Sequence, residues 1–219
     1  MKKCKSVCKF VSLFLLVSLL ILPMAASALD EYAPKPNEFA ALSNLTRILN
    51  ENSAIMTIFA GLSVSDTRAF WMDIQVLKSK KIYNIDIWIN SPGGSAFDGL
   101  ALSDEIITAQ DMGFNIRAYA SGIIASAAVP VFAVCKQRYA KPSTIFMVHE
   151  AALWKWPGRE THSDIISQGK LMNLLQETYL NKLARHSKLS FEEWHVMEAR
   201  TSWFSALEAM SYGIVDVVQ

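Results

Sequence analysis

Cysteine is scarce in this 219-residue chain, and two of its three copies, Cys4 and Cys8, stand among the first ten residues. The third, Cys135, has no partner for an internal disulfide, which excludes a disulfide-stapled scaffold. Lying in an apolar run, it reads as a buried small hydrophobe rather than a reactive thiol. Metal-ligand spacing is missing as well. His149, His162, His186 and His195 are scattered, without paired cysteines or close acidic partners. No metal or other cofactor is expected. Charge of one sign is also lacking, with 21 basic against 20 acidic residues, so nothing points to nucleic acid as a partner. There is no internal repeat and no low-complexity segment.

The one long apolar run is Phe10 to Leu22, interrupted only by Ser12 and Ser18. It is short for a membrane span. Lys2, Lys3, Lys5 and Lys9 precede it, and Pro23 leads from it into Ala26-Ser27-Ala28. That order describes a secretory signal over residues 1–28, cleaved after Ala28. An exported protein, periplasmic or secreted, is expected; an uncleaved segment acting as a membrane anchor is the alternative. Cys4 and Cys8 lie ahead of the apolar core, where neither would carry lipid after cleavage. Loss of the four lysines takes the formal charge from +1 to −3. The remaining chain is one domain by size and long enough for a substantial core.

Residues 29–53 read as an exposed arm with Pro34 and Pro36, followed by a short helix around Phe39 to Leu49. From Ala54 onward strands and helices alternate. Ile55 to Ala60 is β-like, and Phe70, Ile74 and Leu77 recur at helical spacing within Asp66 to Lys80. Tyr83, Ile85, Ile87 and Ile89 alternate with polar or amphipathic residues, which predicts a strand ended by Ser91-Pro92-Gly93-Gly94. A helix capped near Gly113, a strand at Asn115–Ala120, an apolar helical run to Cys135 and a strand at Thr144–Val148 follow. Ile166 to His186 is a long amphipathic helix with Ile166, Met172, Leu175, Tyr179 and Leu183 along one side. Capping boxes at Ser190 and Ser205 open two short helices, and Ile214 to Val218 closes the chain as a β-like run. The pattern is an α/β fold with largely parallel pairing.

Three stretches carry chemistry. In Ser121-Gly122-Ile123-Ile124-Ala125-Ser126-Ala127-Ala128 a serine stands where a strand hands over to a helix, beside free backbone N–H groups. In Asn90-Ser91-Pro92-Gly93-Gly94 two successive glycines let an N–H turn towards a ligand. In Phe146-Met147-Val148-His149 a histidine ends an apolar strand. Each alone is more often ordinary packing, a tight turn or a structural histidine. Together they supply a nucleophile, a base and two oxyanion donors for acyl transfer, all where open α/β sheets place their sites.

The chain resembles the proteolytic-subunit family of Clp proteases, serine peptidases within the crotonase-like superfamily. Four blocks carry the resemblance in order: Ile89 to Gly94, Gly122-x-x-Ala125-Ser126, Met147-Val148-His149, and Phe204-Ser205-Ala206-x-Glu208-Ala209-x-x-Tyr212-Gly213-Ile214-Val215-Asp216. The resemblance implies repeated ββα-type units with a mostly parallel sheet and a protruding long helix, over a peptidase domain of residues 54–219. It implies Ser126 as nucleophile, His149 as general base, and the N–H groups of Gly94 and Ala127 as the oxyanion hole. It implies a homo-oligomeric, ring-like assembly acting on peptides or unfolded proteins. After export no Clp ATPase partner is expected, so the substrates would be short or already unfolded.

The chain also departs from the family. The family's catalytic aspartate falls on Thr201, counted back from Ser205. A Ser126–His149 dyad, a ring oriented by the Thr201 hydroxyl, and a carboxylate from Glu198 or Glu150 are the alternatives. Lys170 is a further candidate base. The segment Leu153-Trp154-Lys155-Trp156-Pro157-Gly158 replaces a glycine-containing strand that pairs with substrate. Two other readings stand beside the peptidase: an oligomeric binding scaffold of the same fold with decayed catalysis, and a crotonase-type acyl-CoA enzyme.

Overall fold

The computed structural model describes residues 41–152 and 158–219, which form one compact body. The expected signal segment, the first part of the arm, and Trp154 and Trp156 lie outside the described residues. Among the described residues no helix is long and apolar enough to cross a membrane.

Among the described residues there are eight strands and six helices, and the strands form one mixed sheet. They are β1 (Thr46–Asn50), β2 (Ser53–Ile58), β3 (Asn84–Ser91), β4 (Asn115–Ala125), β5 (Gln137–Ala140), β6 (Ile145–Val148), β7 (Ser202–Ser205) and β8 (Val217–Val218). Pairing runs β1-β2-β3-β4-β5-β8, with β6 on β4 and β7 on β6. Only β1–β2 and β6–β7 are antiparallel. Six helices connect them: α1 (Val64–Ser79), α2 (Ala96–Asp111), α3 (Ala128–Ala133), α4 (His162–Arg185), α5 (Phe191–Ala199) and α6 (Ala206–Ser211). The α/β class with mostly parallel pairing is therefore as expected.

Period-two alternation builds the core. Ile85, Ile87 and Ile89 of β3 have no exposed surface, nor do Ile116 and Ala118 of β4, and Phe70, Ile74 and Leu77 of α1 pack against this face. Each fully buried isoleucine contributes about 1.5–3 kcal/mol. On the opposite face Trp88, Tyr119 and Tyr139 stand in register on three neighbouring strands and stack at 5.0 and 4.9 Å. Cys135 is buried, and burial pushes its thiol up to about 12, as suits a small hydrophobe.

Four local expectations need correction. The arm's helix, expected around Phe39 to Leu49, does not form over residues 41–49; Thr46–Asn50 is the edge strand β1, paired antiparallel with β2. Asp73, buried on α1, accepts hydrogen bonds from Ser43 N (2.7 Å), Ser43 Oγ (2.6 Å) and Thr46 Oγ1, which fastens this segment to the body. Second, β4 does not stop at Ala120. It pairs with β5 through Ala120, bends at Gly122 (φ 69°), and pairs with β6 from Ile123 to Ala125. Third, the helix beyond Ser126 is a short one that ends at Ala133. Fourth, the long helix begins earlier than its apolar side suggests, because Thr161 and Asp164 close a capping box at its start.

Candidate active site

The change of partner along β4 delivers Ser126. Pairing with β6 carries the strand to Ala125, and the Ser126 N–H continues it by donating to Met147 O at 2.8 Å. The chain then turns abruptly. Ser126 sits at φ 54°, a left-handed conformation that costs a non-glycine residue about 1–3 kcal/mol and concentrates at functional sites. Two donors hold it there. Tyr179 Oη, from α4, donates to Ser126 O at 3.1 Å, and Val129 N–H donates to the same oxygen at 3.0 Å. Burial pushes the Tyr179 hydroxyl well above the usual phenol range, with the nearby Glu198 carboxyl adding to it, so it stays a donor.

The glycine turn after β3 presses on that serine. A Cβ on Gly93 would come within 2.7 Å of Ser126 Cβ and Ala125 O, so only glycine admits this approach. Gly94, at φ 148°, bridges to Leu62, and a Cβ there would meet Leu62 O at 2.4 Å. Leu62 N–H donates to Gly93 O (2.7 Å) and Ser95 N–H donates to Leu62 O (3.1 Å), which locks the turn. The N–H groups of Gly94 and Ala127 have no acceptor among the described residues.

β6 ends at Val148 and leaves His149 beside the turn. Gly94, Ser126, Ala127 and His149 all line one cavity of roughly 560 Å3. Its walls include Phe97 and Leu100 of α2 and Leu175 and Tyr179 of α4. Among the described residues neither Ser126 Oγ nor the His149 ring makes a hydrogen bond. Catalytic hydrogen bonds commonly close only around a bound substrate.

Thr201 is not among the lining residues. It is exposed, at φ 54°, in the turn between α5 and β7, with its N–H donating to Glu198 O at 3.0 Å. Lys170 is exposed on α4 and does not line the cavity either. Glu198 does. It is 2% exposed, and its Oε2 accepts from Gln176 Nε2 at 2.8 Å. Burial pushes its carboxyl above the usual carboxylate range, with Glu150 adding to this against the Gln176 hydrogen bond and His195. The sequence offered Glu198 only as one of two acids near the vacant position. Its placement depends on α5 packing against α4, which no local pattern announces.

A larger hollow of about 690 Å3 lies over Cys135, Arg138 and Asp216. Arg138 is committed there to Asp216 and to the carbonyls of Ala133 and His186, so it offers no free cation.

Comparison with known proteins shows the family and the fold. The Clp protease family profile matches residues 40–219. The chain is 31% identical over 166 residues to the ATP-dependent Clp protease proteolytic subunit of Bacteroides fragilis, covering 74% of this chain and 77% of that one. It is 30% identical over 177 residues to ATP-dependent Clp protease proteolytic subunit 2 of Mycolicibacterium paratuberculosis, covering 78% and 83%. A ClpP1 point mutant from Listeria monocytogenes shares the fold at a TM-score of 0.66 and 23% identity, over 75% of this chain and 90% of that one. With its profile match running through the glycine turn, Ser126 and His149, this chain belongs to the Clp protease family.

Proposed function

We propose that this chain is a serine peptidase that hydrolyses peptide bonds through an acyl-enzyme on Ser126. The observation that supports it most is the convergence on one cavity of Ser126, His149 and two unpaired N–H groups. In this reading Ser126 Oγ attacks the peptide carbonyl while His149, neutral, takes its proton. The carbonyl oxygen, now an anion, accepts from Gly94 N–H and Ala127 N–H, each worth about 2.7–4 kcal/mol of transition-state stabilisation. The imidazolium returns the proton to the leaving amine. Water, deprotonated by the same ring, then cleaves the ester.

Thr201 fills the family's acid position but is exposed and off the cavity, so the pair operates as a dyad. In the serine-protease template, loss of the aspartate costs about 10⁴ in rate, and turnover is correspondingly slow. The chain is an exported homo-oligomer, processed after Ala28, that acts on short or unfolded peptides without an ATPase. Exposed Ile165, Ile166 and Leu174 on the first half of α4 offer an apolar stripe for a second copy.

Hydrolysis of internally quenched peptides by residues 29–219, beside Ser126→Ala and His149→Ala, tests this. Turnover lost in both variants is the expected result; unchanged turnover in either overturns the assignment. The unengaged Ser126 hydroxyl and His149 ring, with Thr201 off the cavity, favour one second reading, an oligomeric scaffold that binds peptides without cleaving them. It predicts peptide binding with no hydrolysis by the wild type.

A further inference from the structure

The substrate cavity carries a feature that acyl transfer does not use. Phe97, Leu100, Leu175 and Tyr179 give its walls an apolar character, yet Glu198 lines the same cavity. Among the described lining residues Glu198 is the sole carboxylate, and no lysine or arginine stands with it. Gln176 satisfies Oε2, while Oε1 has no hydrogen-bond partner among the described residues. A carboxylate accepts about four hydrogen bonds, so one amide leaves it far from satisfied. Oε1 is not one of the fully enclosed polar atoms that lack a partner, so it is open to a group that enters the cavity.

Resting on the peptidase reading, we propose that Glu198 selects the substrate: the cavity takes a lysine or arginine side chain next to the scissile bond. The oxyanion donors fix where the carbonyl lies, and the adjoining side chain then extends along the apolar wall. The aliphatic stem of a basic residue packs on Leu100 and Leu175, and its head donates to Glu198 Oε1. An acidic group at the base of a serine-protease pocket selects basic side chains by the same logic. Arginine fits best, since its planar fork can reach both the carboxylate and the Gln176 amide oxygen.

The test compares two quenched peptides that differ only in arginine or leucine before the scissile bond, with fluorophosphonate labelling of the wild type alongside. The expected result is at least a tenfold higher kcat/KM for the arginine peptide. In Glu198→Gln, which keeps shape and removes charge, that ratio falls to about one, chiefly through KM. Glu198→Asp restores part of it. A wild type that labels but prefers leucine overturns the inference alone. An equal loss of both peptides in Glu198→Gln, with the ratio intact, also overturns it and assigns the carboxyl to support of His149. Absence of labelling in the wild type instead counts against the peptidase reading itself.

Discussion

Ser126 holds a left-handed backbone conformation, and Tyr179 reaches from α4 as one of the two donors to its carbonyl oxygen. Removing that hydroxyl by Tyr179→Phe should cost about 0.5–1.5 kcal/mol of stability. If the bond also fixes the serine, fluorophosphonate labelling slows several-fold with the melting transition nearly intact; labelling at the wild-type rate would dismiss that role. Thr201 gives the opposite expectation. Exposed and off the cavity, Thr201→Ala should leave the labelling rate within about twofold, where a hydroxyl orienting the ring would cost tenfold or more. Glu198 makes a prediction about stability and pH. Its carboxyl is raised by burial above the unfolded value, so the folded state holds its proton more tightly. Stability from this group is full below the ordinary glutamate range and declines as pH rises towards the folded pKa. Thermal melts should therefore show Glu198→Gln gaining on the wild type between acidic and neutral pH, and a constant difference would contradict the assignment. Ser126, His149, Gly94 and Ala127, the proposed nucleophile, base and oxyanion donors, were singled out because each sits in a short motif. Glu198 stood only as one of two acids, because its place in the cavity depends on a helix–helix contact between α4 and α5.

Elements with their own periodicity were legible and those defined by partners were not. The β3 strand and the α1 helix announce themselves by spacing, and both appear within two residues of their expected limits. The segment Thr46–Asn50 carries no such pattern. It becomes a strand because β2 offers a free edge and Asp73 anchors the residues before it. Likewise β5 and β7 are four-residue pieces whose identity comes from pairing with β4 and β6. The strand was expected to stop at Ala120, yet pairing with β6 keeps the chain extended from Ile123 to Ala125. At this scale the glycine turn is the most exacting element. Gly94→Ala places a Cβ against the Leu62 backbone and displaces the N–H assigned to the oxyanion. A fall of about 10²–10³ in kcat is expected, read by steady-state peptide hydrolysis with substrate affinity held nearly constant. A fall below tenfold would remove Gly94 from the oxyanion hole.

At the scale of the whole molecule, the second half of α4 is fixed to the body by Leu175, Tyr179, Leu180 and Leu183, all buried, while Ile165, Ile166, Leu171 and Leu174 remain exposed. The sequence showed the amphipathic pattern but not which half of the helix the body covers. Only packing divides it. If the exposed half joins copies, Ile166→Asp combined with Leu174→Asp should lower the native mass in sedimentation equilibrium and leave the melting transition of the body nearly unchanged. An unaltered mass would place the contact between copies elsewhere. The family was legible because its four blocks occur in order along the chain, and the compact body starting at Ala41 nearly coincides with the profile match from residue 40.

The most direct test of the central claim is intact-mass measurement of residues 29–219 after reaction with a fluorophosphonate. The geometry predicts one adduct per chain, located on Ser126, absent in Ser126→Ala and slowed by at least a hundredfold in His149→Ala. A folded wild-type protein that takes up no adduct, or takes it up equally in Ser126→Ala, would contradict a serine nucleophile at this site.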